Sequence, residues 1–422
     1  VEILNKIYEM TAFPGFIADP AALLMLALGC FLLFLGIRKK FEPLLLVPIG
    51  FGVVLANFPF GNMDVASIDM ILHKVMELSY QELGGMLVEE KEKLMLQVPL
   101  TAIAKKVGIM SYLYYALIKT GLLPPIIFMG VGALTDFGPM LRNLRLAFFG
   151  AAAQIGIFTV LISALAAGFT LRQAGALGII GGADGPTAIY TTIILAPELL
   201  GPIAIAAYSY MALVPVIIPL VVRFTMNERE LKINMRKQDK LYPTSRPIQN
   251  IRAVKVAFPI ILGILVSILV PSATPLVGML LFGNLIKESG AITERLHKAA
   301  SGGIMNAATI FLGLCVGATM TSTSFLTFDT LKIVVGGFLA FAISVAGGIF
   351  AVKIYNLFSK KKINPLIGAT GLSAVPMASR VANEIALKHD PQNHLLQYAM
   401  ASNISGVIGS AVAAGVLISF LA

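Results

Sequence analysis

The chain has 422 residues, of which 57% are hydrophobic and only 13% charged. That balance exceeds what the core of a water-soluble protein can hide, so soluble globular and disordered classes are excluded and an all-α polytopic membrane protein is expected. The formal net charge of +10 is concentrated in a few connections between apolar runs, which reads as membrane sidedness and not as a nucleic-acid surface.

In chain order, "VEILNKIYEM" has neither a basic leader region nor a small-residue cleavage site, so the first apolar run is expected to direct its own insertion. Apolar runs near the length that spans a bilayer as helix, roughly 17 to 25 residues, begin at 21–37 and 43–57, with Arg38 to Lys40 between them. The connection 58–108 has more acids (Asp64, Asp69, Glu77, Glu82, Glu89, Glu90, Glu92) than lysines (Lys74, Lys91, Lys93, Lys105, Lys106), so it belongs outside. Runs at 109–132 and 147–168 follow on either side of the basic stretch Arg142 to Arg145, and then 176–198, apolar but interrupted, and 201–222. The connection 223–255 carries Arg223, Arg229, Lys232, Arg236, Lys237, Lys240, Arg246, Arg252 and Lys255 against Glu228, Glu230 and Asp239, and is expected in the cytoplasm. Runs at 253–270, 274–286, 302–320 and 331–353 lead to Lys360 to Lys362, a second interrupted segment at 364–388, and a last run at 395–421. Cys30 and Cys315 fall inside apolar runs and form no disulfide framework, and His73, His297, His389 and His394 are too scattered for a metal-ligand cluster.

The charge pattern constrains the two interrupted segments. If 176–198 crossed the membrane completely, the basic connection 223–255 would be delivered to the wrong side. The conflict vanishes if 176–198 and 364–388 are re-entrant hairpins, entered from opposite faces. An internal repeat at a fixed offset of 190 supports this: Gly178 and Gly181 match Gly368 and Gly371, Pro186 and Ala188 match Pro376 and Ala378, and Tyr208 matches Tyr398. The expected architecture is two inverted repeats, 1–222 and 253–422, each of about five transmembrane helices plus one hairpin, about ten full spans in all, with 58–108 as an external insertion and 223–252 as a cytoplasmic linker. Such repeats place ion and substrate sites near the midplane, at broken helices.

The first hairpin contains "GGADGPTAIY", residues 181–190. A charge at mid-bilayer depth costs about 2.5 to 3.5 kcal/mol unless it is paired, protonated or coordinated, so Asp184 points to a function. The structural alternative is that Asp184 caps the helix beginning at Pro186. At the matching place in the second hairpin stand Ser373 and Ala374, so one tip supplies charge and the other neutral oxygen. Carboxylate, hydroxyl and carbonyl oxygens together suit a hard cation such as sodium. Asp136 and Asp329 are weaker candidates because both fall near expected helix ends.

"GGADGPTAIY", followed by "AYSYMALVP", "NPLIGATGLSAVPMASR" and "ASNISGVIG", resembles the membrane-embedded beta subunit of the sodium-pumping biotin-dependent decarboxylases, from "MGVGALTDFGPML" to the last residues. The resemblance implies a subunit that decarboxylates carboxybiotin, delivered on a partner's biotin carrier domain, and couples this to sodium export with uptake of a proton from outside. Carried over by motif, the essential aspartate falls on Asp184 and the essential tyrosine on Tyr210. The second motif places polar members on Asn364, Gly368, Ser373 and Arg380, and a sodium-associated asparagine on Asn403. The implied roles are sodium coordination by Asp184, Asn364, Gly368, Ser373 and Asn403, proton passage through Tyr210, and carboxybiotin docking at Arg380, whose guanidinium suits a carboxylate. Each has a structural alternative: Tyr210 as an interfacial tyrosine, Arg380 paired with Glu384 one turn away or snorkelling, and Asn364 as a cap before Pro365.

The resemblance further implies a multi-pass protein of a bacterial cytoplasmic (inner) membrane, with a carboxyltransferase alpha subunit bearing biotin, a small one-span gamma-type subunit, and trimeric assembly. The chain itself has no biotin-acceptor "MKM"-like motif. A sodium-coupled carboxylate symporter or sodium/proton antiporter shares the same architecture, and fold alone does not separate the two classes.

Overall fold

The computed structural model describes residues 8–40, 42–242 and 250–422, and all regular structure among them is helical, with no strand. The first seven residues of the N-terminal stretch, Phe41, and 243–249 with Arg246 of the basic connection lie outside the described residues. Among the described residues five helices are long and apolar enough to cross a membrane: Leu144–Ala166, Ile251–Leu269, Gly290–Ala318, Phe328–Phe358 and Leu396–Leu421. Two further pairs meet the same criteria but are bent, Ile109–Ile118 with Leu123–Leu134 by 64° and Pro197–Met211 with Val214–Thr225 by 68°.

The segments 109–132 and 201–222, expected as continuous spans, are therefore each broken. Prolines cause both breaks, because a proline ring has no N–H to donate and clashes with the carbonyl four residues earlier. Pro215 acts on Met211 in this way, and the second helix restarts with that proline in its first turn. Pro124 and Pro125 do the same to Thr120 and Gly121, just after a π turn at Tyr114–Ile118.

The helices group into two compact units, one formed by 1–123 and 306–331 and the other by 124–305 and 332–422. Each draws on both halves of the sequence. In the first unit, helices Ala21–Ile37 and Pro43–Ala56 approach closely at Gly29, where a methyl group would lie 3.0 Å from the Gly50 carbonyl. Small residues serve this purpose in membranes, where helix association relies on close backbone packing and not on expulsion of water. The connection 58–108 is not an open loop. It forms four short helices, Ile68–Met76, Tyr80–Gly85, Val88–Met95 and Leu100–Lys106, around its own core of Ile71, Leu72, Leu83 and Ile103. Cys30 is exposed on its helix and Cys315 is buried.

The second unit is organised around the last helix, Leu396–Leu421, whose buried side is mostly Ala, Gly and Ser. A methyl on Gly406 would lie 2.2 Å from the Gly371 carbonyl, so the second interrupted segment lies directly on this helix. The linker folds back instead of hanging free. Helices Glu228–Leu231 and Met235–Leu241 attach to the second hairpin and its neighbours through Asn234 to Asp390 (3.1 Å), His389 to Glu228 (2.9 Å), Lys353 to Glu230 (2.9 Å) and Lys361 to Asp239 (2.7 Å). Helix Ile251–Leu269 leaves Ile260, Ile261, Ile264, Leu265 and Ile268 exposed, a side chain set suited to lipid.

Candidate functional site

The first hairpin begins at Thr170, whose hydroxyl accepts from the Gln173 amide (3.3 Å) while the Gln173 side chain accepts from the Thr170 amide (3.1 Å). This reciprocal cap starts helix Leu171–Gly178, earlier than the expected boundary at 176. The helix tightens to a 3-10 turn at Ile179–Gly182, Ala183 takes a left-handed conformation at φ 54°, and a new helix runs Gly185–Leu195. The two arms pack against each other. Gly185 is required at the restart, because a methyl there would lie 2.0 Å from the Tyr208 ring.

Asp184 occupies the break and has both roles open to it from the sequence. Its Oδ1 accepts from the Thr187 amide at 3.1 Å and so caps the second arm. Its Oδ2 turns the other way and lies 2.8 Å from Ser373 Oγ and 2.6 Å from Ser410 Oγ, which are themselves 3.0 Å apart. The carboxylate is only 4% exposed. No Lys, Arg or His side chain pairs with it among the described residues.

The second hairpin supplies the opposing wall. Asn364 caps a 3-10 turn, Pro365–Thr370, and helix Met377–His389 returns after an irregular stretch 371–376. The tips join directly, since the Ser373 amide donates to the Gly182 carbonyl at 3.1 Å. Asn403 on the last helix holds this irregular stretch, its Nδ2 donating to the Leu372 carbonyl and its Oδ1 accepting from Ser379 at 3.2 Å.

The structure thus brings Asp184 and Ser373 into contact and ties Asn403 to Leu372, the residue before Ser373, while the other sequence candidates have contacts of their own. The Asn364 side chain is fully buried and already engaged: Nδ2 donates to the Leu231 (3.1 Å) and Ile233 (3.0 Å) carbonyls, and Oδ1 accepts from the Leu366 amide (3.0 Å). Gly368 is a packing position, where a methyl would lie 2.0 Å from the Gly348 carbonyl. The Tyr210 hydroxyl donates to the Val334 carbonyl, and its ring meets Phe338 edge-on at 6.2 Å. Arg380 is exposed on helix Met377–His389, on the side away from buried Ser379.

Two residues packed on Gly182 of the first tip do not stand out in the sequence. Ser410 lies seven positions after Asn403, two helical turns on and hence on the same face, and that spacing is the signal that finds it. Gln154 stands alone in the apolar run "FFGAAAQIGIFTVL", where helix Leu144–Ala153 passes to Ile155–Ala166. Ser344, on the long helix, donates to the Gly181 carbonyl at 2.5 Å and ties down the first tip.

These features define a class: an all-helical polytopic membrane protein with a carboxylate buried where two interrupted segments meet. Comparison with known proteins gives the particular family. Residues 21–421 match the family described as the Na+-transporting oxaloacetate decarboxylase beta subunit. Among relatives, the oxaloacetate decarboxylase beta chain 2 of Salmonella typhi is 45% identical, with 100% of this chain and 99% of the relative covered. The methylmalonyl-CoA decarboxylase subunit beta of Propionigenium modestum is 45% identical over 99% of both chains. The glutaconyl-CoA decarboxylase subunit beta of Acidaminococcus fermentans is 42% identical over 100% of this chain and 98% of the relative. The chain belongs to this family and is the membrane subunit of a decarboxylase sodium pump, which disfavours the secondary-transporter alternative.

Proposed function

We propose that the chain decarboxylates carboxybiotin at the cytoplasmic face of a bacterial cytoplasmic membrane and uses that step to export sodium through the Asp184 site. In the reaction the bond between the carboxyl carbon and the ureido nitrogen of biotin breaks, the electron pair stays on nitrogen, carbon dioxide leaves, and the nitrogen takes up one proton. That proton enters from outside and passes by way of Tyr210 and Asp184. Protonation of Asp184 removes the charge that holds sodium and releases the ion outward; passing the proton on to biotin restores the carboxylate for the next ion.

The observation that carries this reading is the Asp184 carboxylate, buried between two hairpin tips and hydrogen-bonded to Ser373 and Ser410, with no basic side chain pairing it among the described residues. A buried charge in that position requires a compensating cation or a proton. Ser373 and Ser410 offer oxygens of the kind sodium takes, and Asn403 fixes Ser373. Exposed Arg380 is available to the carboxylate of carboxybiotin. Asn364 and Gly368 hold the second hairpin in place.

The architecture is two inverted repeats, 1–222 and 253–422. Ten crossings result if the shorter helices Ala21–Ile37, Pro43–Ala56 and Thr274–Glu288 and the two bent pairs each count as one with the five long helices, and the hairpins enter from opposite faces. Displacement of the hairpin-bearing bundle gives the site alternating access, as in other inverted-repeat carriers. The chain works with a biotin-bearing carboxyltransferase and a small one-span subunit, assembles as a trimer, and leaves choice of the acyl acid to the carboxyltransferase, consistent with relatives named for three different acids.

The test is sodium uptake by inside-out proteoliposomes holding the complete complex and its acid substrate. Asp184→Asn is expected to abolish sodium accumulation and sodium-stimulated decarboxylation together. Sodium accumulation at the wild-type rate in that variant would refute the assignment.

A further inference from the structure

Gln154 is the one large uncharged polar side chain in its helix, 7% exposed, and it faces the two hairpin tips. Its Nε2 lies 3.1 Å from the Gly150 carbonyl and 3.3 Å from each of the Gly371 and Gly406 carbonyls. Three acceptors around one end of an amide decide its orientation: that end is the NH2, because an oxygen placed there would face three carbonyl oxygens. The other end is therefore fixed as an acceptor. This Oε1 is buried and has no hydrogen-bond partner.

Its direction is set by what it adjoins. A methyl built on Gly182 would lie 3.3 Å from Gln154 Oε1 and 3.1 Å from Ser410 Cβ, so the amide oxygen and Ser410 flank the same glycine of the first tip. Ser410 is the residue whose hydroxyl reaches Asp184 Oδ2 at 2.6 Å. Leaving a buried acceptor unpaired costs about 1 to 3 kcal/mol, and here three backbone groups hold it in that state. An acceptor kept free on the same glycine as Ser410, whose hydroxyl reaches the Asp184 carboxylate, matches the neutral oxygen that a hard cation takes.

We propose that Gln154 Oε1 is a ligand of the transported sodium and that its three backbone carbonyls set its position, and with it the preference for sodium over larger ions. The proposal rests on the reading of Asp184, Ser373 and Ser410 as the sodium site. It adds a neutral ligand from a helix outside both hairpins, so sodium binding joins the two tips to helix Leu144–Ala166.

The test uses the purified full-length chain in detergent, with the rise of its melting temperature on titration with sodium chloride against choline chloride as the readout of binding. Gln154→Met, which keeps the length and removes both polar atoms, is expected to raise the sodium concentration for half-maximal stabilisation at least tenfold. Gln154→Glu retains an oxygen at the ligand position but loses the amide donor. With its second oxygen set against those three carbonyls, it is expected to bind sodium more weakly than wild type but more tightly than Gln154→Met at high pH, with a steeper pH dependence because a second carboxylate takes part. A purely structural role for the NH2 group predicts equal loss in both variants, and that result would overturn the proposal. So would wild-type sodium affinity in Gln154→Met. If Gln154→Met does not fold, wild-type affinity and pH dependence in Gln154→Glu would count against it equally. Asp184→Asn run alongside separates the two levels: loss of sodium stabilisation there but not in Gln154→Met refutes only the added ligand, and its persistence in Asp184→Asn refutes the site.

Discussion

The two serines on Asp184 give a quantitative prediction. Ser373 and Ser410 both reach Oδ2, at 2.8 and 2.6 Å. Ser410 has a second acceptor for its single proton, the Val407 carbonyl in its own helix at 3.0 Å, whereas among the described residues the only other side chain partner of Ser373 is Ser410. A hydrogen bond to a charged group contributes about 1.5 to 3 kcal/mol, equivalent to about a 10- to 150-fold change in binding. Ser373→Ala is therefore expected toward the upper end of that range in half-saturating sodium, and Ser410→Ala toward the lower end. Because both hydroxyls act on one oxygen, the double variant should fall short of the product of the single effects. The assay is sodium-dependent decarboxylation of carboxybiotin by the complete complex, with sodium varied at constant ionic strength. Wild-type half-saturation in both single variants, or strict additivity in the double, would refute the shared-oxygen arrangement.

Asn364→Ala should act on stability first, because it leaves the buried Leu366 amide without its acceptor and the Leu231 and Ile233 carbonyls with the Asn393 side chain as their remaining side-chain donor, at about 1 to 3 kcal/mol for the stranded amide. A lower melting temperature and faster proteolysis within 226–242 are expected, and a rise in half-saturating sodium without either would show Asn364 to be a ligand after all. The same linker should loosen in acid. Hydrogen bonds from Lys232 and then His389 hold the Glu228 carboxyl below its ordinary value of 4.5, and the Asn234 side chain, followed by the Gln392 amide, holds Asp390 below 3.8. Carboxyls depressed in the folded state stabilise it above their ordinary values and lose that contribution as pH falls through the depressed ones. Amide exchange in 226–242 should therefore be flat near neutrality and rise below those ordinary values; a rise between pH 6 and 8 would assign the attachment to other groups.

Much of this was legible in the residues themselves. Glycine, proline and aspartate at 181–186 cannot continue a helix, and the balance of lysine and arginine between connections points to an interruption there. That reasoning found both interrupted segments and the pairing of Asp184 with Ser373. It did not find Ser410 or Gln154, because a lone serine or glutamine in a continuous apolar helix disturbs no local pattern and acquires meaning only from what lies opposite. The bends at Pro124 and Pro215 were written in the sequence, but the flanking hydrophobicity concealed them. The docked linker was hidden for another reason: its anchors, such as Asn234 on Asp390 and Asn364 on Leu231, connect residues more than a hundred positions apart. Asn364 shows how one motif serves two readings, since its position before Pro365 fits a cap and its place in the family motif suggests a ligand.

The central claim is that one carboxylate, Asp184, holds sodium and proton in turn. The most direct measurement is half-saturating sodium for decarboxylation as a function of pH, in wild type and in Asp184→Asn. Exchange at a single carboxylate predicts that half-saturating sodium rises toward about tenfold for each unit of acidification once the proton competes, and that Asp184→Asn shows no sodium dependence at any pH. Half-saturation that is independent of pH in the wild type, or that keeps its wild-type pH dependence in Asp184→Asn, would contradict it.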